Sequence, residues 1–189
     1  MKDMDSLLAQ VLAFRPNRLV PPFDLQGHIP FVAWLVKELQ PATFVQLGTQ
    51  SGNLYFAACQ TVAENSLPTR CWAVGTWQAE ELAQRHSVQQ EAGASDYNRQ
   101  HFGAFSGLLR MGDAQALPRF APGSIDLLLI DGRYSPETVR NEYESWRDRL
   151  SDHAVVLLVG IEQADSGAAA LWQQLQPQNP HLAFAHAQG

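Results

Sequence analysis

An α/β domain built on a mostly parallel central sheet of about six strands, with helices on both faces, is the fold this chain predicts. Three observations lead there. Short apolar runs alternate with segments of helical periodicity, which calls for parallel strands joined by covering helices. The run Ser124-Ile-Asp-Leu-Leu-Leu-Ile-Asp131 is apolar almost throughout, as a strand buried on both faces must be. Thr43-Phe-Val-Gln-Leu-Gly-Thr-Gln-Ser-Gly-Asn53 reads as a buried strand, a glycine-containing turn and a helix start. At such a turn, backbone N–H groups can approach a ligand of nucleotide type closely.

The length of 189 residues suits one sizeable domain rather than two. Residues 1–26 read as an N-terminal helix and proline-rich connector, and residues 27–189 as the domain itself. Leu7, Leu8, Val11 and Leu12 share one helical face, which predicts a short docking helix, and Pro16, Pro21 and Pro22 then discourage helix. A helix is predicted from Pro30 to Gln40, with Phe31, Leu35 and Leu39 as its inward stripe and Pro41 as its stop. The first strand is Thr43 to Leu47. A helix follows from Asn53 to about Glu64, then a second strand over Cys71 to Val74.

The polar stretch Gln78 to Phe105 predicts a helix through Gln90 and a loop around Gly93 to Asp96. Leu108 to Met111 is a third strand and the run ending at Asp131 a fourth. Ser135 then caps a helix, Pro136 takes its first position and Glu137 complements its dipole. Val139, Tyr143, Trp146 and Leu150 give that helix a face to pack on the sheet. Ala154 to Val159 is a fifth strand, and Gly167 to Leu175 a last helix with Leu171, Trp172 and Leu175 inward. Leu182 to Ala185 is a candidate sixth strand. Trp34, Trp146 and Trp172 fall at core spacing. The chain ends at Gly189 with no stable terminal element, which fits a domain cut from a longer protein.

Composition narrows the function. A formal net charge of −6, without a run of Lys or Arg, argues against a nucleic-acid binder, which needs a basic face. No apolar run reaches membrane-spanning length. The first residues lack the pattern of a signal peptide, because acids precede a short, interrupted apolar run. Cys59 and Cys71 are the two cysteines, which suggests buried free thiols in a reducing cytoplasm rather than a disulfide framework. The histidines His28, His86, His101, His153, His181 and His186 show no metal-ligand spacing.

Five segments carry a resemblance. They are Gly27-His-Ile-Pro-Phe-Val-Ala-Trp-Leu-Val36, Phe44-Val-Gln-Leu-Gly-Thr-Gln-Ser-Gly52, Pro68-Thr-Arg-Cys-Trp-Ala-Val-Gly-Thr-Trp77, Ser124-Ile-Asp-Leu-Leu-Leu-Ile-Asp-Gly132 and Ala154-Val-Val-Leu-Leu158. In this order they resemble class I S-adenosylmethionine-dependent methyltransferases, and most closely a bacterial subgroup found beside or fused to glycosyltransferases in surface-glycan pathways. The resemblance implies a Rossmann-like fold, S-adenosylmethionine as cofactor, a sugar or other small-molecule acceptor, and a glycosyltransferase domain or partner. Gly48, Thr49 and Gly52 match the family's Gly-Thr-x-x-Gly turn around the methionine part of the cofactor. Gln46 stands where the family has an acid at the end of the first strand. Gly75 stands where the second strand ends in the acid that takes the ribose hydroxyls. Asp113 matches the acid that reaches the adenine amino group, and Asp131 matches a position lining the catalytic crevice. Tyr134 replaces the family's usual His, and Val159 and Gly160 replace a His-Asp pair, so no metal ligand is assigned.

Plainer roles stand beside these: a tight turn for Gly48 and Gly52, a helix cap for Asp113, a turn aromatic for Tyr134, a structural acid at Asp126. His28 is a modest candidate for lining the site. Two functions follow. One is O-methylation of a sugar or small acceptor, with Asp131 as general base, Tyr134 orienting the acceptor hydroxyl and positioning supplying much of the rate. The other is an inactive pseudo-methyltransferase, an interaction or regulatory module in a larger glycan-assembly protein. The substitutions Gln46, Gly75, Tyr134, Val159 and Gly160 favour the second. A Rossmann domain binding another nucleotide is the weaker reading, because this chain lacks a Gly-x-Gly-x-x-Gly turn.

Overall fold

A computed structural model describes residues 9, 11, 13–21, 23, 25–49, 51–75, 87–131, 135–162 and 164–184, apart from the side chains of 87–92 and 131. The strands are β1 (Thr43–Leu47), β2 (Arg70–Gly75), β3 (Ser106–Arg110), β4 (Ile125–Asp131) and β5 (Leu150–Val159). The α-helices are α1 (Ile29–Leu39), α2 (Asn53–Glu64), α3 (Ser87–His101), α4 (Asp113–Ala116), α5 (Pro136–Trp146) and α6 (Gly167–Leu175). The strands form one parallel sheet in the order β3-β2-β1-β4-β5, flanked by helices as expected. In the β1·β4 pair Gln46 lies opposite Leu129 and Leu47 opposite Ile130. In the β4·β5 pair Asp131 lies opposite Val159.

The chain divides into two compact units. One comprises Met1–Ala42, Thr49–Cys71 and Trp77–Leu108; the other comprises Thr43–Gly48, Trp72–Thr76 and Leu109–Gly189. In the first, α2 is buried from Asn53 to Val62, and the α1 residues Ile29, Val32, Ala33 and Val36 are buried. Tyr55, Phe56, Tyr97, Phe102 and Phe105 form a chain of ring contacts. Tyr55 Oη and Ser106 Oγ share a hydrogen bond of 2.6 Å, and burial pushes the Tyr55 phenol well above its ordinary pKa. Cys59 and Cys71 are buried free thiols.

The second unit has an aliphatic core built from Val45, Leu47, Ile125, Leu128, Ile130, Val139 and Leu171 among others, with Trp146 packed into it. Ser135 caps α5 by accepting the Thr138 N–H at 3.2 Å, and Ser166 caps α6 by accepting the Ala169 N–H at 3.1 Å. Where α6 meets α5, a Cβ on Gly167 would lie 2.7 Å from both the Ser135 carbonyl oxygen and Val139 Cβ. Glycine is therefore required by the closeness of the two helices. Asp126, the structural acid, is buried; its Oδ2 accepts the Thr43 N–H at 3.2 Å and its Oδ1 accepts Ser151 Oγ at 2.8 Å. That carboxylate ties together the amino ends of β1, β4 and β5. It also explains why β5 starts at Leu150, upstream of the expected Ala154.

Several other expectations are corrected. The inward face of α1 is Ile29, Val32, Ala33 and Val36; Phe31, Leu35 and Leu39 are only partly buried. Nearly every position of that helix is apolar, so periodicity has nothing to select. No loop interrupts 93–96: α3 runs through Gly93 to His101, anchored by buried Ala94 and Asn98. The sheet has five strands among the described residues, because Leu182 and Phe184 lie exposed outside any strand; Ala185 is outside the described residues. Trp146 is fully buried, whereas Trp34, Trp172 and Leu175 are partly exposed. Of the predicted N-terminal helix, Leu7, Leu8 and Leu12 are outside the described residues, as is the Gln78–His86 part of the polar stretch.

Two stability outcomes are expected. Gly167→Ala should cost about 1–3 kcal/mol through overpacking, read by urea unfolding, with partial recovery in Gly167→Ala combined with Val139→Ala. Asp126→Ala should cost on the order of 1–3 kcal/mol, since it leaves a buried N–H and hydroxyl without their acceptor.

Candidate functional site

The strand order reverses beside β1, with β2 on one side and β4 on the other. In a sheet of this kind the crevice outside the carboxyl ends at such a point is where ligands bind. The second unit brings the predicted positions to that edge. The Gly48 N–H donates to the Val74 carbonyl at 3.1 Å, placing the end of β1 beside Gly75 at the end of β2. Asp131 ends β4, opposite Val159. Gly75 also bridges Met111, from which the chain runs through Gly112 to Asp113.

Gln46 differs from an acid in more than charge. Its side chain is 3% exposed, and its Nε2 donates to the Gly48 carbonyl at 3.2 Å. Only the amide nitrogen can face a carbonyl oxygen; an ionised carboxylate carries acceptors alone. Gln46 Oε1 is buried and has no partner among the described residues. A buried acceptor without a partner costs free energy unless something donates to it.

The turn after β1 uses both its glycines for backbone reasons. Gly48 has φ 73° and Gly52 φ 75°, values that side-chain-bearing residues adopt only with strain. The Gly52 N–H donates to the Thr49 carbonyl at 2.7 Å and closes the turn. A Cβ on Gly52 would stand 2.8 Å from Phe56 Cε2. Thr49 is buried, and its Oγ1, like Gln46 Oε1, has no partner among the described residues. A buried acceptor left open at a strand end, as Gln46 Oε1 is, fits a ligand carrying amine or hydroxyl donors.

Among the described residues, a Cβ on Gly75 would meet nothing within 4 Å. The strand end therefore offers no side-chain acceptor but has room for one. Asp113 is the first residue of α4 and partly buried; the cap position belongs to Gly112, whose N–H donates to Gln115 Oε1 at 3.3 Å. The cap role considered for Asp113 thus falls to its neighbour. After β5, Gly160 (φ 92°) accepts Ser166 Oγ at 2.7 Å, closing the loop where the resemblance had led to a His-Asp pair. The Asp131 side chain and all of Tyr134 are outside the described residues. His28 is partly buried in a 3-10 turn, Gln26–His28, just before α1.

Sequence reasoning missed the residues that hold the connector against α2, one of which, Arg18, reaches the turn. Arg18 Nη1 donates to the Ser51 carbonyl at 2.7 Å, and its guanidinium lies 4.9 Å from the Phe56 ring centre and 5.7 Å from that of Tyr97. Burial lowers the Arg18 pKa from its ordinary value, opposed by Tyr97. Asn53 exchanges two hydrogen bonds with the Val20 backbone, at 3.1 and 2.7 Å. Gln60 accepts the Asn17 N–H at 2.8 Å and donates to the Arg15 carbonyl at 3.0 Å. The available signal was two amides about two turns apart on an otherwise apolar helix.

Comparison with known proteins agrees with this architecture. Residues 45–158 match a protein family described as a methyltransferase domain, so the chain belongs to that family, class I by its fold. Among solved structures it is similar to the SAH-bound methyltransferase PaMTH1 of Podospora anserina. The identity is 15%, covering 85% of this chain and 64% of that one, with a TM-score of 0.57. The O-methyltransferase TomG of Streptomyces achromogenes, solved with SAM, is 15% identical over 94% of this chain and 80% of its own, also with a TM-score of 0.57. At such identity the likeness is one of fold. The uncharacterized protein y4gI of Sinorhizobium fredii is 35% identical over 187 residues, 98% of this chain. The chain spans 20% of that relative's length.

The glycines should separate by substitution. Gly52→Ala should lose about 1–3 kcal/mol in urea unfolding, from the positive φ and the Phe56 contact. Gly75→Ala should stay within about 0.5 kcal/mol, as surface changes away from special features do.

Proposed function

We propose that this domain transfers a methyl group from S-adenosylmethionine to an oxygen of a sugar or other small acceptor, gripping the cofactor more through backbone and neutral acceptors than through carboxylates. One observation carries the reading: within the second unit, Gly48 at positive φ sits at the reversal of the sheet beside Gly75, with Gln46 Oε1 buried and without a partner among the described residues. Bound there, the cofactor supplies a methyl group on a positively charged sulfur. Gln46 and Thr49 offer acceptors to its amine-bearing end, and Asp113 is the candidate partner of the adenine amino group. Asp131, ending the strand next to β1, would take the proton of the acceptor hydroxyl. Methyl transfer is an in-line displacement, so correct positioning by these groups supplies much of its rate. The glycan context, including a glycosyltransferase domain or partner, rests on the resemblance of the five sequence segments.

A second reading is favoured by Gly75 in particular. With no acceptor at that strand end, up to two charge-assisted hydrogen bonds to the ribose are lost, at about 1.5–3 kcal/mol each. An inactive domain retained as an interaction or regulatory module would tolerate this.

Calorimetric titration with S-adenosylmethionine and S-adenosylhomocysteine separates the two. Micromolar binding by the native chain supports the transferase, and Gly75→Asp, which has room for its side chain, should then tighten binding by about tenfold or more. No native binding, with binding gained in Gly75→Asp, supports the inactive module. Detection of a methylated product excludes it.

A further inference from the structure

The connector before α1 is bound along α2 as a strap, and its bonds are of two kinds. At the far end, Gln60 holds the backbone of Arg15 and Asn17, and Asn53 holds that of Val20. These bonds fix where the strap runs. Between them, Arg18 reaches a single backbone atom of the glycine turn, the Ser51 carbonyl oxygen. Its guanidinium is pinned against Phe56 and Tyr97, so the donor has little freedom to leave. The Ser51 carbonyl and the Gly52 N–H belong to one peptide plane, and that N–H closes the turn onto Thr49. Holding the oxygen therefore holds the plane, and with it the start of α2.

We propose that Arg18 is a positioning residue for the cofactor turn: by clamping the Ser51 peptide it keeps the Gly52 N–H closed onto Thr49 in its ligand-ready shape. This rests on the reading of the turn as a cofactor site. Asn53 and Gln60 anchor the strap, while Arg18, held between Phe56 and Tyr97, fixes the Ser51 peptide. The guanidinium acts on the ligand only through the backbone.

The test compares Arg18→Ala with Gln60→Ala in the full chain, by S-adenosylhomocysteine calorimetry and by amide hydrogen exchange without ligand. Arg18→Ala should raise the Kd at least tenfold and speed exchange at Gly52 to Leu54. Gln60→Ala should lower the melting temperature but leave the Kd within about twofold and the turn amides protected. Added guanidinium ion should restore part of the affinity of Arg18→Ala and none to Gln60→Ala. Equal Kd values for Arg18→Ala and the native chain would overturn the proposal, as would an equal loss of affinity in both variants. If the native chain binds no S-adenosylhomocysteine, the cofactor reading fails by itself and exchange decides. Faster exchange at the turn in Arg18→Ala but not in Gln60→Ala upholds the clamp, and unchanged exchange removes it.

Discussion

Between Leu47 and Asn53 the chain passes from a strand buried along its length into a helix buried along most of its own. Backbone polar groups in such a place must find partners within the protein or with a ligand. The structure distributes the task. Val74 takes the Gly48 N–H, Gln46 covers the Gly48 carbonyl, Thr49 takes the Gly52 N–H, and Arg18 covers the Ser51 carbonyl. Two glycines at positive φ make the tight path sterically possible. Gln46 Oε1 and Thr49 Oγ1 are each buried without a partner among the described residues.

Around that turn the site is polar but sparsely charged. Gln46 supplies an acceptor without a charge, Gly75 supplies neither, and Gly160 spends its carbonyl on Ser166. Asp113 and Asp131 are the acids at the strand ends the resemblance singled out. The buried acid Asp126 works at the amino ends of the strands, where it ties three of them together.

The fold was legible where local and global preferences agree. β4 is apolar on both faces because it is buried on both, and α5 announces itself through Ser135, Pro136 and the repeat from Val139 to Trp146. The helix from Asn53 to Glu64 and the one from Gly167 to Leu175 also fall where their flanking turns put them. Legibility failed where distant contacts override local ones. Gly93 looked like a break, yet Ala94 and Asn98 are buried and Asn98 binds the Ser106 carbonyl, which keeps the helix going. The strap was read as a proline connector because its partners Ser51, Asn53 and Gln60 lie 33 to 45 residues away. At the site, residue types showed which acids were absent, but no pattern of letters could show that Gln46 has its own donor role.

That donor role limits what position 46 can accept. A carboxylate there would face the Gly48 carbonyl with acceptors on both sides, so the turn and the amide are matched to each other. An acid at 46 would need the peptide that carries the Gly48 carbonyl to swing away at the same time. Position 75 carries no such constraint among the described residues, where a Cβ would meet nothing within 4 Å. A carboxylate is thus locked out of one strand end and admissible at the other.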